Sequence, residues 1–148
     1  MTSRALALGL LVAFASAPAF SAQYGTKEEA RAMLDKVVAE LKRDREGTMK
    51  ALANGDEGFK DRDLYPFCIG PDGRTTGHAA KERIGEKATE LKDKNGKLFV
   101  KEMFKVAKEG KVKTVSYQFP RPGETQPVAK VSYVTKVGDQ VCGVGYYK

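Results

Sequence analysis

The side chains of this chain that could do chemistry are few in kind. Its 148 residues hold one histidine, His78, and two cysteines, Cys68 and Cys142. Nucleophilic hydrolysis needs a serine on a G-x-S-x-G elbow or a cysteine within reach of a base. No such elbow occurs, and His78 is the sole imidazole that either thiol could meet. The cysteines are too far apart for a C-x-x-C redox pair, and one histidine cannot build the close Cys/His cluster that zinc requires. Asp93-Lys94-Asn95-Gly96 has the opening of a calcium loop but lacks the later ligands and the terminal glutamate, so it reads as a turn. Gly143-Val144-Gly145 is a fragment of a nucleotide-type glycine motif in a terminal strand with no helix after it, and no phosphate site is read there. The acids show no spacing that favours an acid–base pair. The expectation is a chain that is not an enzyme, with no cofactor and no metal.

What remains is the chemistry of binding. Tyr65 and Phe67 alternate with Leu64, Pro66 and Cys68, which puts both rings on one face of a strand. Tyr117 and Phe119 share a face in a later strand, and Val131 and Tyr133 do so in the next. Three tyrosines on strands of one sheet offer apolar walls with a few hydroxyl donors, the make-up of a small-ligand pocket. His78 and Arg74 could add charge for a carboxylate, the guanidinium through a bidentate contact. Alternating aromatics describe an ordinary packed core equally well, and at this level both readings stand.

The elements that must position these residues are legible from pattern. Thr26-Lys27-Glu28-Glu29 fits a capping box, and Ala30, Met33, Leu34, Val37, Val38 and Leu41 then recur at steps of three and four. That predicts a helix with one buried stripe. A second short helix is predicted from Gly47 to Ala53, ended by Asn54-Gly55-Asp56-Glu57-Gly58. LYPFCI and RTTGH flank Gly70-Pro71-Asp72-Gly73, a turn in which proline presets one dihedral and glycine accepts a positive one, so a hairpin is expected. Pro66 lacks an amide hydrogen and points to a strand start, a bulge or a non-bonded position. Residues 79–97 read as loop and short helix. Leu98 to Lys108 reads as a helix that Gly110 stops. Strands at 114–119, 127–136 and 140–147 complete a helix, helix, hairpin, helix, three-stranded order. Antiparallel sheets with helices on a face satisfy it, giving an α+β fold.

MTSRALALGLLVAFASAPAFSA places one arginine before an apolar run and then small residues, the layout of a secretory signal peptide over residues 1–21, cleaved after Ser21 in preference to Ala19. The run is well short of the ~20 apolar residues of a membrane span, so no transmembrane segment is expected. Residues 22–148 then form a single domain. Loss of Arg4 takes the formal charge from +7 to +6. Lysines interspersed with acids, without a block of five basic residues, read as a solvated surface rather than a nucleic-acid face. In a periplasmic or secreted protein an even cysteine count favours a disulfide, with two separate buried thiols as the alternative.

Taken together, DLYPFCIGPDGRTTGH, IGEKATELKDKNGKLFVKEMFKVAKEG, VSYQFPRP, KVSYV and GVGYY resemble the single Cache domains, extracytoplasmic sensor modules with a PAS-like fold, from about Thr26 to the C-terminus. The resemblance implies a five-stranded antiparallel sheet in order 2-1-5-4-3 flanked by a long N-terminal helix, with a small-molecule pocket between the sheet and the shorter helices and loops. That order would set Cys68 and Cys142 on neighbouring antiparallel strands, within reach of a structural disulfide. It implies a small organic anion, a short organic acid or amino acid, as ligand, with Tyr65, His78, Tyr117 and Tyr133 as its contacts, Arg74 in support and Lys101 and Lys130 in reserve. Because the chain stops at Lys148, directly after the last strand, a freestanding binder is expected, passing its signal to a membrane receptor or another exported protein. The alternative expectation is an exported interaction module whose core is filled by its own side chains.

Overall fold

A computed structural model describes residues 22–56 and 58–148; the leader expected over residues 1–21 lies outside the described residues. Helix α1 (Lys27–Arg43) starts at the capping box read from sequence: the Thr26 hydroxyl accepts from the Glu29 amide and the Glu29 carboxylate from that of Thr26. Its apolar stripe is buried and ends at Asp44, whose carboxylate accepts from the Gly47 amide and so starts α2 (Arg45–Asn54). This second helix therefore begins two residues before the expected Gly47, because Asp44 is its N-cap. Gly55, at φ 65°, closes it in the left-handed conformation.

The sheet contains β1 (Pro66–Ile69), β2 (Thr75–His78), β3 (Lys113–Pro120), β4 (Pro127–Val137) and β5 (Gln140–Tyr147), antiparallel throughout, in the order 2-1-5-4-3. Pro66 begins β1, and the register slips between Cys68 and Ile69. In the β1–β2 turn the Gly73 amide donates to the Gly70 carbonyl at 2.9 Å. Helix α3 (Phe99–Val106) stops short of the expected Lys108. Beyond Val134, β4 has lost its β3 partner; there the Lys136 amide and the Thr135 hydroxyl both donate to the Lys108 carbonyl. That tertiary pairing draws the chain out of the helix before Gly110 is reached.

Strand register sorts every side chain to one of two faces. Cys142 and Val144 of β5 face the long helices, where Val37, Leu41 and Leu52 form one apolar cluster and Ala30, Met33 and Leu34 another. Cys68 lies directly opposite Cys142, and the two form a disulfide on this face, with Cα atoms 4.1 Å apart. Phe67, Ile69, Val115, Tyr117, Val134 and Val141 face the other way, toward α3 and the short 3₁₀ turns at Lys81–Arg83 and Ala88–Glu90.

Both sheet borders are occupied over part of their length. On β2 the Thr75 amide donates to the Glu86 carbonyl and the Thr75 carbonyl accepts from Gly85. On β3 the Gln118 amide donates to Asp93 Oδ2 and the Ser116 carbonyl accepts from Lys97 Nζ. Asp93 Oδ1 also accepts from the Asn95 and Lys97 amides, so Asp93-Lys94-Asn95-Gly96 is the turn expected of it.

Candidate functional site

The α3 side of the sheet encloses a cavity of about 50 Å³. That is several times the ~10–15 Å³ needed to admit one water and suits a molecule of a few heavy atoms. Its floor is apolar: Ile69, Val100, Met103 and the parallel-stacked pair Phe99–Tyr117, ring centroids 4.2 Å apart. Tyr65, His78, Arg83 and Phe119 are shared with an adjoining outer cleft of about 300 Å³, which Arg121 and the 122–124 turn help to line.

At the polar end stands Lys130, in mid-β4 and 2% exposed. Its partner across β3 is Tyr117 and across β5 is Tyr147. The Lys130 ammonium donates to the Tyr65 hydroxyl at 2.8 Å and the Tyr147 hydroxyl at 3.2 Å, and Tyr147 donates onward to the Pro120 carbonyl at 2.7 Å. The Tyr65 and Tyr147 rings lie 4.2 and 4.6 Å from the same nitrogen. Space for the lysine stem comes from Gly145, where a Cβ would sit 2.3 Å from Lys130 Cε. Gly143 likewise clears the Phe67 ring, where a Cβ would approach its Cζ to 2.6 Å. The Gly143-Val144-Gly145 run thus makes room for side chains.

Electrostatics at this end are unusual. Among the described residues no carboxylate forms an ion pair with Lys130. Burial pushes its amine below the usual lysine range, against the pull of Tyr65. For Tyr65, burial acts upward, but the Lys130 charge and hydrogen bond outweigh it and hold the phenol below its ordinary value. Burial raises Tyr117 and Tyr147. His78 is driven down to about 4, by burial first and then by Arg83 and Lys130. Its Nδ1 accepts from the Ala80 amide at 2.9 Å, so the neutral ring carries its hydrogen on Nε2. Arg83 pairs with Glu86 at 3.1 Å, and Arg121 pairs with the buried Asp63 at 3.4 Å.

Of the residues singled out in the sequence, Tyr65, His78, Tyr117 and Lys130 line this cavity together. Tyr117 contributes its ring, since its hydroxyl is held by Ser132 at 2.8 Å. Tyr133 does not join them: β4 sends Lys130, Ser132 and Val134 to the cavity face, and the odd positions to α1, where Tyr133 packs beside Tyr146. Arg74 is exposed and donates to the Gly85 carbonyl, and Lys101 is exposed on α3. Sequence reasoning missed Tyr147, Arg83 and Arg121. Tyr147 had a signal, the alternation Val141, Gly143, Gly145, Tyr147 on one strand face; the arginines lie in or beside loops whose path the pattern does not fix.

Comparison with known proteins gives the arrangement a lineage. Three solved structures share the fold. A methyl-accepting chemotaxis protein from Vibrio parahaemolyticus RIMD 2210633 is 22% identical with a TM-score of 0.67, covering 82% of this chain and 87% of its own. The periplasmic sensor domain of a chemotaxis protein is 26% identical, TM-score 0.62, with 81% and 88% covered. A Cache chemosensory domain described for its carboxylic acid recognition is 20% identical, TM-score 0.62, with 81% and 86% covered. A family model, Single Cache domain 2, matches residues 19–147, which take in every described helix and strand. The chain belongs to the single Cache domain 2 family of small-molecule sensor domains.

Proposed function

We propose that this domain is a non-catalytic extracytoplasmic binding module for a short-chain monocarboxylate, with Lys130 facing the carboxylate and the Phe99–Tyr117 floor receiving the aliphatic tail. The observation that carries this reading is a fully buried ammonium, without an acidic partner among the described residues, at the polar end of an otherwise apolar cavity. When the site is filled, a buried ammonium needs a compensating charge, and an anionic guest supplies it. The cavity's size selects a few heavy atoms. Amino acids fit less well, because Glu86, the carboxylate lining this cavity, is already paired with Arg83. The carboxylic acid recognition described for one similar structure agrees with this reading. His78 and Tyr65 would complete the polar wall, and a membrane receptor or another exported protein would take up the signal.

The rival reading, an exported interaction module with a filled core, rests on how small the cavity is. A thermal-shift screen separates the two, since a ligand held only by the native state raises the midpoint. Acetate, propionate, lactate and pyruvate are expected to raise it, and Lys130→Met to abolish the rise. A flat response across monocarboxylates, dicarboxylates and amino acids overturns the assignment.

A further inference from the structure

The groups around Lys130 leave it in an exposed electrical position inside a buried site. From the segment before β1, Tyr65 meets its nitrogen at 2.8 Å, and from β5 Tyr147 does so at 3.2 Å. Tyr147 has committed its own hydrogen to the Pro120 carbonyl. From β2, His78 is neutral down to about pH 4. From the 3₁₀ turn and the loop after it, Arg83 and Glu86 satisfy one another. From the loop before β1 and the end of β3, Asp63 and Arg121 do the same, and Asp63 also holds the Gly25 amide. On β3, Tyr117 is tied to Ser132. With those pairs closed, an ammonium at Lys130 stands as a net positive charge in a small buried pocket, with the Tyr65 hydroxyl at 2.8 Å as the nearest group able to offset it and the paired Asp63 acting on it from beyond ion-pair distance.

We propose that the empty pocket holds Lys130 and Tyr65 one proton short of full protonation, as a neutral pair, and that a carboxylate anion enters together with one proton. This rests on the monocarboxylate reading above. The balance is simple. The neutral pair is ammonium with phenolate, or equally amine with phenol, two arrangements of the same proton along a 2.8 Å hydrogen bond. One proton from solvent plus one carboxylate gives ammonium, neutral phenol and bound anion, so the pocket is neutral before and after. Without such a step the empty pocket would keep an uncompensated buried charge, which burial strongly disfavours. The lowered acidities of both the Lys130 ammonium and the Tyr65 phenol agree. Linked groups of this kind titrate as a unit.

Two measurements test it. Capillary electrophoresis of the ligand-free protein at pH 7 is expected to give wild type and Lys130→Met the same net charge; a difference of one charge overturns the proposal, whatever the protein binds. If Lys130→Met does not fold, NMR of the ligand-free wild type labelled at tyrosine Cζ and lysine Nζ decides, and a phenol beside an ammonium overturns it. Calorimetry with propionate in buffers of different ionisation enthalpy is expected to show one proton taken up per ligand, and the dissociation constant to rise tenfold per pH unit between pH 6 and 8. Binding with no proton uptake overturns the proposal. Equal charges with no binding of acetate or propionate support the neutral pair and sink the monocarboxylate reading alone.

Discussion

Single atoms decide much at this site. Gly145 has no Cβ because the Lys130 stem and the Ser132 hydroxyl occupy its place, at 2.3 and 2.6 Å from where one would sit. Gly145→Ala is therefore expected to cost about 1–3 kcal/mol by overpacking and to displace the ammonium, weakening propionate binding more than Gly138→Ala, a turn glycine with open space around it, whose penalty is conformational. Chemical denaturation and calorimetry on the two variants check this. His78 sets a pH dependence whose sign follows from its lowered value of about 4. Between that value and the unfolded value near 6.5, the unfolded chain binds a proton that the folded one refuses, so stability is whole above pH ~6.5 and falls as pH drops toward 4. The contribution is up to about 3 kcal/mol. Urea midpoints at pH 7 and pH 5 should diverge less in His78→Gln than in wild type. Lys130 shows what was and was not readable at this scale. A lysine inside the apolar run PVAKVSYV was visible, but whether it or Tyr133 faced the cavity depended on the pairing of β4 with β3, which one strand's pattern does not contain.

Elements form where local chemistry and tertiary contacts agree. Thr26 and Glu29 close both arms of the capping box, so Thr26→Ala is expected to cost about 1 kcal/mol and to fray the first turn of α1, seen as faster amide exchange at Lys27–Glu29. Asp93 organises its loop and the border of β3 together: its carboxylate accepts from Asn95, Lys97 and Gln118, and these bonds hold it below the usual aspartate range against the opposing effect of burial. In Asp93→Ala those three amides should exchange faster while Tyr117 on the neighbouring strand position stays protected; unchanged exchange at Gln118 would show that the loop stands without its carboxylate. Helix α1, the body of α2 and all five strands were legible because caps, turn residues and periodicity are local signals, although the Asp44 cap that starts α2 two residues earlier was not read. The early end of α3 was not, because it is imposed by Lys136 and Thr135, distant residues that take the Lys108 carbonyl.

Across the whole molecule, two faces of one sheet divide the labour. The disulfide and the long helices make one side rigid, and the cavity lies on the other. The Cys68–Cys142 link closes a separation of 74 residues, so its reduction should lower stability by as much as ~4 kcal/mol on the chain-entropy view. Because both sulfurs point away from the cavity, propionate affinity measured below the new melting point should hardly change. Strand order and this cysteine pairing came from resemblance to a family, while α+β class came from the order of elements; the cavity's small volume and its buried cation came from packing between segments far apart in sequence. One last consequence follows from the partners along the borders of β2 and β3. With Glu86 and Gly85 hooked to the Thr75 end of one rim, and Asp93 and Lys97 to the middle of the other, a wandering peptide meets an interrupted ladder rather than a clean run of rungs on which to zip.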